Sequence, residues 1–286
     1  MIKVLQPGLY TSIQDMGRFG YRNLGVPLSG AMDAISASFA NALLNNDKRD
    51  AVLEITMVGP KLEFMASTII VITGADMSSK LNNIAILNNK IYLVESGDIL
   101  SFGQLKNGLR CYLAVSGGFQ TENVLKSRSF YQGITFQGFF KKNDIIPFDK
   151  SKIKRIDSKG IVNNKTQFFE TNIIEAFEGP EFNFFSMAEI QKMLLTTFTI
   201  SNQSNRMGYI LQEKVIKHNK SIITSPVLPG TVQLIPEGKL IILMKDAQTT
   251  GGYPRVLHLT EKSIAIMAQK GVGDKFTFKV IPYNVL

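Results

Sequence analysis

The sequence predicts a mainly β fold made of two barrel-like units, and three observations support this. Runs of β-branched and aromatic residues are interrupted at short intervals by Gly, Pro, Asn and Asp, a pattern typical of short strands joined by turns. Short sequence echoes recur along the chain, and a polar stretch separates its two halves. We expect an N-terminal unit over residues 1–148, a polar connector over 149–165 and a C-terminal unit over 166–286, with strand exchange between the units left open.

Composition places the chain among globular proteins. It has 286 residues, 44% of them hydrophobic and 19% charged. A chain of this length buries about 75% of the surface that its unfolded form exposes, so stability requires neither disulfides nor a structural metal. One Cys and two His are too few for a typical zinc site, although carboxylates leave magnesium or calcium open. Because no leader-like or membrane-spanning apolar segment occurs, we expect a soluble, cytoplasmic protein without membrane contact.

The net charge of +9 raises the question of an acidic partner. Six basic residues cluster between Lys141 and Arg155, beside two acidic ones. They form neither a base-reading helix nor a stripe interleaved with aromatic residues, so we expect no nucleic acid. A solvated connector is the favoured interpretation of this cluster, and docking of an acidic partner subunit is the second.

The individual strands follow from runs rich in β-branched and aromatic residues. The predicted strands are residues 67–73, 84–87, 91–94, 109–115, 197–201, 222–223, 240–244 and 275–280. Two further segments have helical spacing instead. Residues 33–44 repeat apolar positions every three or four residues behind Asp33 as a cap, and residues 186–195 begin with a capping box from Ser186 to Glu189.

Two echoes link distant parts of the chain. The first is a six-residue pattern: it begins with Gly or Asn, continues with Asp, any residue, an apolar residue and any residue, and ends with Phe. It predicts a turn tolerant of positive φ followed by a strand. It occurs at residues 97–102, 143–148 and 273–278. The second is Gly-Pro before an apolar-ending segment, at residues 58–64 and 178–184, and it predicts that each Gly-Pro opens a strand.

Most standard catalytic motifs are absent. The chain has no Walker P-loop and no G-x-S-x-G elbow, and its two histidines make a Ser-His-Asp triad a weak hypothesis. We expect His218 to lie at the surface, His258 to be structural, and Cys111 to be an inert buried thiol.

Four polar, glycine-punctuated segments remain as candidate binding loops, namely residues 8–33, 116–119, 204–209 and 246–255. The first contains five glycines together with Arg18 and Arg22, the second suits an anion-binding nest, and the last two contain Arg206 and Arg255. Each alone is explained as a tight turn. Together they favour one shared site for a small anionic or amide-bearing molecule, because arginine binds carboxylate and phosphate with two parallel hydrogen bonds.

The same segments resemble a known family. Residues 11–21 and 25–33 look like the signature of the family that contains the C subunit of 5-oxoprolinase, allophanate hydrolase subunit 2 type proteins and the carboxyltransferase domain of urea carboxylase. Further matches follow in order along nearly the whole chain, at residues 53–56 with 59–60, 73–76, 112–119, 127–129, 205–208 and 248–254. The resemblance implies a pair of cyclophilin-like β-barrels with a few short helices.

The resemblance also implies a function. Stand-alone bacterial members are similar to the subunit that works with a B partner and a separate A subunit to open the 5-oxoproline lactam to L-glutamate with ATP hydrolysis. We therefore expect an ATP-dependent lactam hydrolase subunit, with ATP and magnesium at the level of the complex and no biotin on this chain. Two alternatives stay open: a biotin-dependent carboxyltransferase acting on urea or a related amide, and a non-catalytic regulator that sequesters a kinase inhibitor.

The resemblance places the candidate residues near a cleft. We expect Arg18, Arg206 and Asp15 to act in catalysis, the arginines on substrate carboxylate or phosphate. Asp15 or Asp33 would orient an arginine or hold magnesium. We assign no particular residue as a metal ligand. Substrate binding is expected from Gln14, Tyr21, Ser29, Asp33, Met207, Gly208, Gln248, Thr249, Thr250, Gly251, Gly252 and Tyr253.

Overall fold

The structure is a computed structural model, which describes residues 1–149 and 169–283. Its contacts divide the chain into two units. The first comprises Met1–Arg18 and the described residues from Ser29 to 149, and the second comprises Phe19–Leu28 and residues 169–283. The predicted connector, residues 149–165, lies outside the described residues except for Asp149, as does most of the basic cluster.

The first unit consists of two antiparallel sheets around one apolar core. Its strands are β1 (Ile2–Gln6), β2 (Tyr10–Gln14), β3 (Val52–Thr56), β4 (Lys61–Phe64), β5 (Thr68–Asp76), β6 (Lys80–Leu81), β7 (Ile84–Ala85), β8 (Ile91–Val94), β9 (Ile99–Ser101), β10 (Asn107–Val115) and β11 (Ile145–Ile146). One sheet has the order β11-β1-β4-β9-β6-β7, and the other has the order β2-β3-β10-β5-β8. Side chains from both sheets, such as Phe64 and Leu113, are fully buried in the same cluster.

The second unit contains a nearly closed, seven-stranded sheet. The strands of this unit are β12 (Ile173–Glu178), β13 (Phe198–Thr199), β14 (Gly208–Lys214), β15 (Ser225–Pro226), β16 (Thr231–Leu234), β17 (Lys239–Leu243), β18 (Thr250–Gly251), β19 (Arg255–Leu259) and β20 (Lys275–Val280). The sheet order is β13-β20-β12-β19-β16-β17-β14, and a bridge between Ile200 and Leu211 joins its two ends. Strands β15 and β18 form a separate two-stranded ribbon. The predicted mainly β, barrel-like fold is thus confirmed.

Three α-helices occur among the described residues, and two of them were predicted. Helix α1 (Ala34–Leu43) is capped by Asp33, and α2 (Met187–Leu195) has the complete capping box from Ser186 to Glu189. Helix α3 (Glu261–Ala268) was not predicted, although Thr260 caps it by accepting a hydrogen bond from the Ser263 N–H. Its run of buried apolar residues lacks a polar face, so it has little helical periodicity to detect. None of these helices is long and apolar enough to cross a membrane.

The buried face of α1 differs from the one that its large apolar residues suggest. Ile35 and Ala42 are exposed, whereas Ala37 and Ala40 are completely buried against the sheet that contains Tyr112. Small residues face the sheet because they allow the helix to approach β5 and β10 closely.

Most predicted strands are confirmed, some in shortened form, and two predictions are wrong. Residues 222–223 are not in a strand, and the Ile223 side chain is 92% exposed. The Gly59-Pro60 pair does precede strand β4, but Gly179-Pro180 leads into a short 3₁₀ turn at Phe182–Phe184.

The first echo is confirmed as a repeated turn. Its first residues Gly97, Asn143 and Gly273 all have positive φ, between 71° and 95°. In each copy the following Asp accepts a hydrogen bond from the backbone N–H three residues earlier, at 2.7–2.8 Å. A strand begins directly after the Asp in all three copies, namely β9, β11 and β20.

Gly179 packs closely against the backbone of strand β19 in the second unit. A Cβ atom at this position would lie 2.1 Å from the Arg255 carbonyl oxygen. Because backbone would have to move, we expect Gly179→Ala to lower the free energy of unfolding by about 1–3 kcal/mol in chemical denaturation. Gly138→Ala is the matched control, since its new Cβ would meet ordinary contacts at 3.4 Å or more. Equal stability of both variants would contradict this packing.

Candidate functional site

In the first unit, Asp15 organises the loop that contains Ser127, Arg128 and Ser129. Its Oδ1 atom accepts hydrogen bonds from the Ser127 and Ser129 hydroxyls and from the Gly17 N–H, each at 2.7 Å. Its Oδ2 atom accepts one from the Arg128 N–H at 2.6 Å. The buried carboxylate therefore has four donors from the chain itself and fixes the loop beside strand β2.

Arg18, Gln14 and Ser29 lie buried in the same unit. Arg18 is fully buried, and its Nη2 atom donates to the Ser129 carbonyl. The Gln14 side-chain amide donates to the Ser12 hydroxyl at 3.0 Å, while its Oε1 atom has no hydrogen-bond partner among the described residues. The buried Ser29 hydroxyl likewise has none there. The structure thus places three predicted residues around the Asp15 loop, two of them with an unused polar atom.

Asp33 belongs to a buried polar group at the start of α1. Its carboxylate accepts from the Ser36 N–H at 2.9 Å and the Ser36 hydroxyl at 2.6 Å, and its N–H donates to the Tyr112 hydroxyl. Tyr112 in turn donates to Glu54 at 2.8 Å, which also accepts from the Met32 N–H. Burial, followed by the charges of Glu54 and Asp33, raises the pKa of Tyr112 well above its usual value. Asp33 therefore acts as a helix cap in this arrangement.

The predicted anion-binding nest at residues 116–119 has no free N–H group. The Ser116 and Gly118 amides donate to the Ile69 and Val115 carbonyls. The Gly117 amide donates to the Asn46 side chain at 2.8 Å, and the Phe119 amide donates to the Ala51 carbonyl. Because all four amides are used inside the chain, this turn does not offer donors to an anion.

In the second unit, Arg206 is paired with Asp246. Its Nε atom donates to Oδ2 at 2.7 Å and its Nη2 atom to Oδ1 at 3.1 Å, and both residues are buried. The Asp246 N–H also donates to the Arg206 carbonyl at 2.9 Å. Next to Arg206, the Met207 N–H donates to the Asn205 side chain at 2.7 Å, and Gly208 begins β14. The pair joins the segments 204–209 and 246–255 that the sequence singled out.

Arg255 forms a second paired guanidinium. Its Nε and Nη2 atoms donate to the two carboxylate oxygens of Glu181 at 2.8 and 2.6 Å, and Nη1 donates to the Pro226 carbonyl. These hydrogen bonds from Arg255 lower the pKa of Glu181, and those to Glu181 raise the pKa of Arg255. Arg255 is thus held in place by a carboxylate that lies 74 residues away in sequence.

The loop of residues 248–253 lies beside the ribbon of β15 and β18. Gln248, Thr250 and Tyr253 are exposed, and Gly251 belongs to β18. The Gly252 carbonyl accepts from the Ile222 N–H at 3.2 Å, and the Tyr253 carbonyl accepts from Gln233 at 3.4 Å.

Arg22 fastens this loop from the segment Phe19–Leu28. Its Nη2 atom donates to the Val227 carbonyl and, at 3.2 Å, to the Thr249 carbonyl. Tyr21 comes just before it and accepts the Leu24 and Val26 N–H groups at its carbonyl.

The remaining candidates have structural surroundings. Cys111 is buried, and burial raises the pKa of its thiol, as expected for an inert residue. His258 lies in β19 beside Thr231, and burial lowers its pKa. His218 is partly buried rather than a plain surface residue, because its ring contacts the Leu234 carbonyl and the Lys220 N–H. Across residues 1–149 and 169–283, no three His, Cys, Asp or Glu side chains are grouped to hold a metal ion.

Several residues that matter here were not assigned to the site from the sequence. Glu54, Asp246, Glu181 and Gln233 are buried and bind the predicted residues or their neighbours. Glu54 lies in a segment that carries the family resemblance, and Asp246 lies in a candidate binding loop. An isolated acidic residue nevertheless gives no local signal of a partner far away in sequence.

The chain is similar to several known proteins. The model of the family described as carboxyltransferase domain, subdomain A and B, matches residues 24–280. The C subunit of 5-oxoprolinase from Escherichia coli (strain K12) is 34% identical, over 97% of this chain and 90% of that protein. The Haemophilus influenzae protein of the same name is 29% identical, over 98% and 91%. The crystal structure of the K. lactis urea amidolyase superposes with a TM-score of 0.86 at 27% identity, over 99% of this chain and 19% of that chain.

The fold and these similarities define a carboxyltransferase-type β domain related to components of enzyme complexes. More particularly, the chain belongs to the carboxyltransferase domain, subdomain A and B, family. Its similarity to the two proteins named as the C subunit of 5-oxoprolinase extends over nearly the whole length of this chain and of each of those proteins. It spans about a fifth of the urea amidolyase chain.

The Asp15 network makes a stability prediction. We expect Asp15→Asn to lower the free energy of unfolding by about 1–3 kcal/mol, because an amide NH₂ group would face N–H and O–H donors in a buried place. Chemical denaturation measures the loss. Asp47→Asn is the control: Asp47 also accepts a backbone N–H, but it is exposed and water replaces the bond. Asp15→Asn with wild-type stability would contradict the network.

The Glu181–Arg255 pair predicts a pH dependence. Since the pKa of folded Glu181 lies below its ordinary value of 4.5, its stabilising contribution is present above pH 4.5 and is lost as pH falls through the lowered pKa. We expect Glu181→Gln to cost about 1–3 kcal/mol at pH 7. The deficit against wild type should shrink as acid protonates Glu181 below pH 4.5.

Unfolding curves measured from pH 7 downwards test this expectation. Glu237→Gln is the control, because Glu237 is exposed and its carboxylate forms no hydrogen bond or ion pair among the described residues. A deficit of Glu181→Gln that stays constant over the whole pH range would count against the ion pair as its source.

Proposed function

We propose that this chain is the C subunit of an ATP-dependent 5-oxoprolinase complex, which opens the lactam of 5-oxoproline to L-glutamate together with B and A subunits. One observation above all supports the proposal. The similarity to the two 5-oxoprolinase C subunits covers at least 97% of this chain and at least 90% of each relative. Because loops carry function more often than the scaffold that holds them, similarity over the full length supports a shared function better than similarity over one part of the chain.

A carboxyltransferase acting on urea or a related amide is the second candidate. The family description and the superposition on urea amidolyase favour it. Such a reaction uses biotin, and Lys245 is the residue in the setting most similar to a biotinylated lysine. However, Met244 before it is fully buried and Asp246 after it is fixed by Arg206. We therefore propose that biotin, if used, is not attached to this chain.

Lactam opening adds water across the C–N bond of a stable amide, so the carbonyl must be activated. ATP supplies this activation by phosphoryl transfer at the level of the complex. We propose that Gln248, Thr249 and Thr250 recognise the amide, since the first and third have exposed side chains. Gly251 and Gly252 would offer backbone N–H groups, and the exposed Tyr253 would pack on the ligand.

The buried predicted residues suit positioning roles. The Asp15 carboxylate already accepts four hydrogen bonds, and the Asp33 carboxylate is engaged by Ser36. Carboxylate oxygens that already accept these hydrogen bonds do not fit as magnesium ligands. We therefore propose that ATP and magnesium lie elsewhere in the complex. Arg18 would hold the Ser129 loop, and Arg206 the 246–255 segment, in the geometry that substrate requires.

Reconstitution tests the function. The purified chain is mixed with its B and A partners, ATP and 5-oxoproline, and glutamate is measured. We expect glutamate that depends on this chain and on ATP. A folded, assembled trio that forms none would reject the proposal, and carboxylation of urea with a biotin-dependent partner would support the second candidate instead.

Arg206 provides a residue-level test in the same assay. We expect Arg206→Gln to reduce glutamate formation at least tenfold, because the buried Asp246 carboxylate loses its partner and the loop changes position. Lys279→Gln in the same unit is the control, because Lys279 is exposed and pairs with Glu175 at the surface. Full activity of Arg206→Gln would exclude the positioning role.

A further inference from the structure

The three described arginines of the second unit differ in how their charge is balanced. Arg206 makes two hydrogen bonds to Asp246, and Arg255 makes two to Glu181. Arg22 forms no ion pair with any residue in 1–149 or 169–283, and burial is what lowers its pKa. The charge of Arg22 is therefore not balanced by a carboxylate in the described part of the chain.

The guanidinium of Arg22 has donors to spare. A single nitrogen, Nη2, makes both hydrogen bonds, to the Val227 and Thr249 carbonyls. Nε and Nη1 donate to no acceptor among the described residues, and the side chain is partly exposed. Nη1 alone has two unused N–H groups, and a charged donor of this kind is suited to a carboxylate oxygen.

Arg22 is also tied to the candidate binding loop. Val227 directly follows β15 and Thr249 directly precedes β18, so Arg22 joins the two strands at one end of the ribbon. The Val227 N–H donates to the same Thr249 carbonyl at 3.0 Å, which fixes that end further. Gln248 and Thr250, on either side of Thr249, are exposed, and their side chains make no hydrogen bond within the described residues.

We propose that the guanidinium of Arg22, which lies beside the loop of Gln248 and Thr250, binds the carboxylate of the lactam substrate. This inference rests on the proposed function and adds to it the residue that recognises the acid group. In this assignment Arg22 has two tasks, since it positions the loop through Nη2 and donates to the ligand carboxylate through Nη1.

The test compares two lactams on the assembled complex. 5-Oxoproline has the carboxylate and 2-pyrrolidinone lacks it. Dissociation constants are measured by calorimetry without ATP, for wild type and for Arg22→Gln. We expect the affinity for 5-oxoproline to fall roughly 10- to 100-fold in the variant, because a charge-assisted pair is lost. The affinity for 2-pyrrolidinone should change little, so the preference for the acid collapses.

Two further variants make the result specific. Arg49→Gln removes the same charge from an exposed arginine and should leave both affinities at their wild-type values. Arg22→Lys keeps the charge without the planar donors, and we expect a smaller loss of the same preference. It carries the test if Arg22→Gln does not assemble, and full wild-type preference in Arg22→Lys would then overturn the proposal.

The remaining outcomes are equally decisive. An equal loss of affinity for both lactams would reduce Arg22 to a loop anchor, and unchanged affinities would remove it from the site. Either result overturns the inference while glutamate formation by the wild type still supports the function. A wild-type complex that binds 5-oxoproline through Arg22 but forms no glutamate would reject the function and keep the carboxylate site. A wild-type complex that does not bind 5-oxoproline would reject both.

Discussion

The pairing of buried carboxylates with donors from distant segments is the interaction on which the rest of this structure depends. A charge removed from water is tolerated when hydrogen bonds replace its hydration. Asp15 meets this condition with hydroxyl and amide groups, whereas Asp246 and Glu181 meet it with guanidinium groups. In each case the carboxylate itself lies in a loop or turn, so satisfying the charge also fixes the path of that segment.

The same constraint separates arginines that look alike in sequence. A guanidinium already held by a carboxylate stabilises a loop, and a ligand would have to compete with that carboxylate. Arg206 and Arg255 are of this kind, while Arg22 is bound by neutral carbonyl groups. Charge balance within the protein therefore distinguishes Arg22 from Arg206 and Arg255, although all three lie in glycine-containing segments.

The β framework explains how one family can serve different reactions. Apolar cores and antiparallel ladders set the positions of the strand ends, and the polar residues discussed here lie mostly at or beyond those ends. Relatives named for 5-oxoprolinase and for urea amidolyase share the framework. Differences in activity then reside in loops and partners, because the fold itself performs no chemistry.

Local rules account for what the sequence determined by itself. Two helices with their caps, about half of the described strands, the repeated Asp turn and the family could be predicted, since each depends on residues within a few positions of one another or on an ordered series of motifs. The failures were also local in origin. Helix α3 has no polar face to reveal its period, and residues 222–223 have strand-forming side chains but form no ladder with a neighbouring strand.

Tertiary structure alone decided which face of α1 is buried and which partner each charged residue has. The partners of Asp15, Arg206 and Arg255 lie 114, 40 and 74 residues away in sequence. No local pattern specifies such pairs, because they form when the chain's loops are brought together by packing of the sheets. The site residues thus stay a prediction from the sequence, whereas the partner of each one is decided by contacts that exist only after folding.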